Sequence, residues 1–269
     1  MAAGSIVVKI GGSALEDGGA EAGLALARLV CEIEAPVVVV HGGGAEITRR
    51  LDAIGAETRR VDGLRVTPDE HIEEVVAAVA GVVNTKLVGT LRAAGVQAAG
   101  LTLQSAGFAC QKLQHPSGDL GRVGEVVGGA GAVTNGLLDA GATPVLSCIG
   151  ADAAGGPLNI NGDDAAAGVA SVLGASTLLL LSDVAGVLNA NGQPIGELDE
   201  SAVEALVTSG VISGGMGPKV RAALAVSGSA GCPVVIAHWR EADAAGRGLA
   251  GTRVRARRSA EGPHHVSVA

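Results

Sequence analysis

The sequence predicts an α/β protein built on an open, mainly parallel β-sheet sandwiched between helices. Three observations carry this expectation. Short runs rich in Val, Ile and Leu alternate with helix-like stretches along most of the 269 residues, the pattern of repeated βα units. Those runs are apolar at successive positions, as in strands covered on both faces. Forty-three glycines stand against one Phe, one Trp and no Tyr, so the core must be Ala, Val, Leu and Ile, which suit layered α/β packing.

The elements follow in order. Strands are expected at Ile6–Ile10, 37–40, 143–148, 177–181 and 233–237, each a short apolar run rich in β-branched residues or leucine. Helices are expected at 21–33, 45–54, Asp69–Ala93, 163–173, 200–209 and 219–227. The longest opens on Thr67-Pro68-Asp69-Glu70: Thr67 is expected to cap it, Pro68 to take its first helical position, and acids to follow. Its Ile72, Val75, Val76, Val79, Val82 and Val83 make one broad face that needs burial. Residues 104–130, with Gly, Gln, Ser and His, break the alternation. They read as a hairpin insertion with arms 108–113 and 121–127, either decoration or a lid over a site. Thr252-Arg253-Val254 reads as a further strand, and residues 256–269 as a disordered tail.

Composition excludes several classes. Net charge is −8 with a pI near 5.2, so there is no nucleic-acid footprint. Aromatic poverty argues against base stacking. The basic run at 253–258 reads as a solvated end. Cys31, Cys110, Cys148 and Cys232 are far apart, without CxxC or Cys/His metal spacing, which fits a reducing cytoplasm. The apolar run at Ile6 is too short for a signal peptide, and no uninterrupted apolar run has membrane-spanning length.

Five glycine-rich motifs carry the chemistry: Lys9-Ile10-Gly11-Gly12, His41-Gly42-Gly43-Gly44, Gly63-Leu64-Arg65-Val66-Thr67, Asn159-Ile160-Asn161-Gly162-Asp163 and Gly214-Gly215-Met216-Gly217-Pro218-Lys219. Glycine lets backbone N–H groups approach an anion, and lysine adds a mobile positive charge. The first two motifs follow strand ends, where open α/β sheets bind ligands at helix N-termini. The set suits holding phosphate and carboxylate together. It is not a P-loop, because Lys219 is followed by Val220, and the GxGxxG at Gly246, Gly248 and Gly251 leads into a strand with too little chain beyond it. His41 reads as a packed, hydrogen-bonded residue and not as an acid–base group, whereas His71, His115 and His238 show no partner pattern.

In this order and spacing the motifs resemble the amino acid kinase superfamily, and within it the acetylglutamate kinase family, from Lys9 to Val254. The resemblance implies an amino acid kinase fold in one domain, 1–255, with an acyl-substrate and dimerisation lobe (about 1–173) and an ATP lobe (about 174–255). It implies transfer of the ATP γ-phosphoryl group to the side-chain carboxylate of N-acetyl-L-glutamate, the second step of arginine synthesis. Lys9 and Lys219 would neutralise the transferring group, and Asp163 would hold both lysines. Arg65, Asn159, Gly43 and Gly44 would bind the acyl substrate. Gly11, Asp183-Val184-Ala185-Gly186-Val187-Leu188 and Val211-Ile212-Ser213 would bind ATP, with Mg2+ carried by the phosphates and no protein metal cage.

The same resemblance implies a cytoplasmic homodimer paired through the long helix. Arginine-inhibited relatives carry an extra N-terminal helix that links dimers into hexamers. With its first strand at Ile6, this chain is expected to lack that helix and its cooperative arginine inhibition. The chemistry is coherent: a carboxylate nucleophile is already ionised, so the site must align two anions and offset their charge. Ala45, Gly217 and the stretch 103–107 depart from the family pattern. A kinase of carrier-linked aminoadipate is disfavoured by Asp62-Gly63-Leu64-Arg65-Val66-Thr67, and UMP kinase by the same segment. Aspartokinase is disfavoured by the lack of a regulatory domain. A non-catalytic sensor is disfavoured by retention of Lys9, Lys219 and Asp163.

Overall fold

Val7, Val38, Leu178 and Val234 are buried on one face of the central sheet, and Val8, Val39, Leu179 and Val235 on the other. This is what alternating Cβ directions require of strands covered on both sides. The computed structural model describes residues 4–189, 191–209 and 216–256, without the side chains of Ser13, Asp17 and 216–219.

The central sheet contains β1 (Ile6–Ile10), β2 (Val37–His41), β5 (Ala98–Thr102), β8 (Thr143–Ser147), β11 (Thr177–Ser182), β12 (Glu197–Asp199), β13 (Val234–His238) and β14 (Thr252–Arg255). Its order is β12-β14-β13-β11-β1-β2-β8-β5. Pairing is parallel except between β13 and β14. The ribbon β3 (Arg60–Val61) and β4 (Leu64–Arg65) is followed in the chain by the long helix Asp69–Ala93. A second sheet has the order β6-β7-β10-β9, from β6 (Phe108–Lys112), β7 (Val123–Gly129), β9 (Ile149–Ala151) and β10 (Pro157–Ile160).

Each expected strand and helix is present, with ends differing by a few residues. The hairpin expected in 104–130 exists as antiparallel β6 and β7, but β7 also pairs in parallel with β10. It is half of a sheet and not an appendage. Strands β3, β4, β5, β9, β10 and β12 were not expected: β3, β4 and β12 have only two or three residues, AAGLT and IGA are rich in small residues of low strand propensity, and PLNI begins with proline. Helices Gly12–Asp17, Ala132–Asp139 and Ala242–Gly246 were also missed, being only five to eight residues long.

The reading of Thr67 needs correction. Its hydroxyl donates to Arg65 O (2.9 Å) and accepts from Asn159 Nδ2 (3.0 Å), and it does not cap the helix. Pro68 occupies the cap position with ψ 159°. The helix then begins with a tight 3-10 turn, Asp69–His71, and contains a π-helical segment, Ala77–Val83. Ile72, Val75 and Val79 enter the core. Val82 and Val83 are half-buried and, with Leu15, Leu87 and Ala93, line a surface groove of about 690 Å³. By length and mean hydropathy (1.4) this helix could cross a membrane, although it is no uninterrupted apolar run; Ile72, Val75 and Val79 are buried in the protein core instead.

Strand register sets the site. Lys9 lies opposite Val40 and Leu180, Ile10 opposite His41 and Leu181, and His41 opposite Ser147. The carboxyl ends of β1, β2, β8 and β11 therefore align, and both glycine turns leave from that edge.

Candidate active site

Gly11 is the N-cap of Gly12–Asp17, and Gly43 is the N-cap of Gly44–Ala53. Two helix N-termini, with their free N–H groups, thus start at the same sheet edge. They touch: a Cβ on Gly12 would come within 3.1 Å of Gly44 N. Gly43 is also tight against the long helix, where a Cβ would meet Val79 Cγ2 at 3.1 Å and Val83 Cγ2 at 3.2 Å.

Asp163 faces the end of β1. Asn161 caps helix Gly162–Leu173 by accepting from Asp163 N (2.9 Å) and Asp164 N (3.2 Å). This cap fixes the first turn and places Asp163 Oδ1 2.9 Å from Lys9 Nζ. The ammonium is mostly buried, at 16% exposed, whereas the carboxylate is 50% exposed. Asp164 is exposed into the crevice it shares with Glu125. Loss of hydration among the crevice walls, with Asp163 and Glu125 close by, pushes its carboxyl pKa up.

A small cavity of about 120 Å³ opens between these parts, lined by Gly43, Gly44, Arg65, Asn159, Asn161 and Gly162 among others. Arg65 is buried at 6% exposed. Its Nη2 donates to Gly44 O (3.0 Å) and Thr48 Oγ1 (2.7 Å), both neutral oxygens. Burial first, then nearby Arg60, lowers the Arg65 pKa. A buried guanidinium held by neutral acceptors retains its charge for an anionic ligand. Asn159, on β10, is fixed by the Thr67 hydroxyl, which its Nδ2 reaches at 3.0 Å. Cys148 lines the same cavity with its thiol pushed up to about 12 by burial, so it is un-ionised at neutral pH.

The segment 183–188 follows β11. Gly186 (φ +135°) leaves no room for a side chain against Thr252 Oγ1, which lies 2.6 Å from where a Cβ would be. Val187 N donates to that same oxygen at 2.8 Å. The segment is therefore anchored to β14, with Asp183 and Leu188 exposed and Val187 buried. Val211, Ile212 and Ser213 lie outside the described residues, as do 257–269 of the expected tail. Lys219 falls in the first turn of helix Met216–Ala230, its side chain outside the described part.

The structure thus brings together Lys9, Asp163, Gly11, Gly43, Gly44, Arg65 and Asn159 from six separate elements. Sequence reasoning missed Thr48 and Asn84. Thr48 holds Arg65. Asn84 is buried against His41, and its one signal is an amide directly after the apolar run that ends in Val82-Val83. His41 is fully buried, and this burial lowers its pKa to about 4. It is neutral and hydrogen-bonded, as expected.

Residues 4–238 match the profile of the amino acid kinase family. The chain belongs to that family. An acetylglutamate kinase of Aeromonas salmonicida is 39% identical over 252 residues, covering 93% of this chain and 96% of that protein. An acetylglutamate kinase of a Roseiflexus species is 42% identical over 223 residues, covering 82% of this chain and 83% of its own. Among solved structures, smu.665 of Streptococcus mutans UA159 superposes with a TM-score of 0.70 at 30% identity, covering 93% of this chain and 98% of that one. The family fold therefore extends through both sheets described above.

Proposed function

We propose that this amino acid kinase is an acetylglutamate kinase, transferring the γ-phosphoryl group of ATP to the side-chain carboxylate of N-acetyl-L-glutamate. The observation that carries the reading is the convergence of Arg65, Asn159 and the Gly43-Gly44 turn on one small cavity, beside the Lys9–Asp163 pair. Near-full-length relatives carrying that activity in their names support the substrate.

Arg65 grips the α-carboxylate of the substrate, and Asn159 contacts its acetylamino side. An oxygen of the side-chain carboxylate attacks the γ-phosphorus; the bond from that phosphorus to the bridging oxygen breaks, and ADP leaves. The products are ADP and an acyl phosphate. No proton is removed from the nucleophile, so the chain supplies position and charge. Lys9 and Lys219 offset the negative charge of the transferring group, Asp163 orients them, and N–H groups of Gly11, Gly43 and Gly44 complete the cradle.

The nucleotide lies on 183–188 and 211–213. Mg2+ would arrive on the ATP phosphates and would add positive charge at the transferring group. Residues up to about 173 form the acyl-substrate lobe and 174–255 the ATP lobe. The long helix joins two copies in a cytoplasmic homodimer, using the face that Val82 and Val83 leave half-covered.

Trapping the product with hydroxylamine tests the reading. N-Acetyl-L-glutamate and ATP should yield a hydroxamate, with little from carrier-linked aminoadipate. No hydroxamate from N-acetyl-L-glutamate would overturn it.

A further inference from the structure

His41 ends β2, is fully buried, and precedes the glycine turn that closes the cavity. Its ring sits between two fixed partners. Nδ1 lies 2.9 Å from Gly42 O, and Nε2 lies 2.9 Å from Asn84 Nδ2. The direction of these bonds follows from one carbonyl. Asn84 Nδ2 is also 3.0 Å from Val145 O, and a carbonyl oxygen can only accept. The atom facing both Val145 and His41 is therefore the amide nitrogen, and it donates to each. His41 Nε2 must then offer a lone pair, which leaves the proton on Nδ1, donated to Gly42 O.

That last bond has a directional consequence. In a trans peptide the C=O and the following N–H point in opposite directions. Fixing Gly42 O against the His41 ring therefore turns Gly43 N–H the other way. Gly42, Gly43 and Gly44 all line the substrate cavity, and glycine backbone on its own would leave that peptide free to rotate.

The far end of the chain of bonds is also built. Asn84 immediately follows the π-helical segment Ala77–Val83, and an inserted π turn changes which way the next residue faces. Space for its amide exists because residue 100, on β5, is glycine: a Cβ there would collide with Asn84 Oδ1.

We propose that Asn84 and His41 form a positioning relay that holds the Gly42–Gly43 peptide so that Gly43 N–H is aimed at the transferring phosphoryl group and the substrate carboxylate. The inference rests on the proposed role of Gly43 but concerns residues that do not touch substrate. Its ligand-free element is the proton on Nδ1; its catalytic element is a donor that needs no reorganisation as charge builds up.

Two measurements on the full-length protein test it. Nitrogen-15 spectra of the imidazoles at neutral pH should show His41 as the Nδ1–H tautomer, and the signal should change in Asn84→Ala. An Nε2–H tautomer or an imidazolium overturns the relay whether or not N-acetyl-L-glutamate proves to be the substrate. In hydroxamate kinetics, His41→Ala should lower kcat roughly ten- to a hundredfold, with KM for ATP unchanged. His41→Asn, whose Nδ2 can replace Nδ1 toward Gly42 O, should recover much of the loss. Gly100→Ala, at a residue that does not line the cavity, should lower kcat by displacing Asn84. The double variant His41→Ala/Asn84→Ala should be no slower than His41→Ala, because both remove one device. Additive losses, or no rescue by asparagine in a protein that melts like the wild type, overturn the proposal.

Discussion

Lys9 Nζ stands 2.9 Å from Asp163 Oδ1, tying the end of the first strand to the first turn of helix Gly162–Leu173. The ammonium is shielded while its carboxylate partner is half in water. A cation placed this way is oriented without being fully neutralised, and it can turn part of its charge to an incoming phosphate.

Lys9→Ala should lower kcat by roughly a hundredfold or more, since its charge matters most when the phosphoryl group is in flight. Lys219→Ala should behave alike, and ATP binding should largely survive in both. Turnover within a few-fold of wild type in either variant would remove the two-lysine mechanism. Asp163→Asn keeps the helix start but loses the ion pair, so it should share the kcat defect.

Arg65→Ala should act on the other substrate. It should raise KM for N-acetyl-L-glutamate by roughly tenfold or more and leave KM for ATP unchanged. Arg65→Lys should recover little, because one ammonium cannot reach Gly44 O and Thr48 Oγ1 while gripping a carboxylate as a fork does. An unaltered acyl-substrate KM would show the arginine to be misassigned.

His41 gives the fold an acid-sensitive element. Its pKa falls from 6.5 to about 4 on burial, so below about pH 6.5 the unfolded chain binds a proton that the folded chain refuses. Stability is therefore full above that pH and declines as pH falls toward 4, by about 3 kcal/mol from this group alone. Urea unfolding at pH 7 and pH 4.5 checks the sign. His41→Asn should flatten the dependence, and an unchanged slope would assign the acid lability elsewhere.

Light scattering should give a dimer mass. A monomer or hexamer mass would refute the proposed assembly.

Much of this was legible in residue order. The runs at Ile6, Val37, Thr143, Thr177 and Val234 are apolar on both faces, so their strands and parallel pairing follow from composition. Lys9, Arg65, Asn159 and Asp163 could be singled out as candidates because they lie in glycine-rich motifs whose order resembles the amino acid kinase superfamily. Asn84 could not, since nothing local reveals that β2 and a helix more than forty residues later meet at one imidazole. Thr67 looked like a cap because a Thr-Pro-acid start usually is one; the buried amide of Asn159 competes for the same hydroxyl and wins. The second sheet was only half visible because β9 and β10 are too short and too glycine- or proline-marked to read as strands.

The place of β1 in the sheet also bears on how the chain is made. Ile6 pairs on one side with Val37 and on the other with Thr177. A ribosome delivers the first partner early and the second only after most of the protein has emerged, so the strand carrying Lys9 spends synthesis with one edge bare. Closing so long a loop is slow, and an unpaired parallel edge of Ile and Val invites the wrong neighbour. Synthesis that stalls before Thr177 should leave a chain that holds its substrate-side turns yet aggregates through β1.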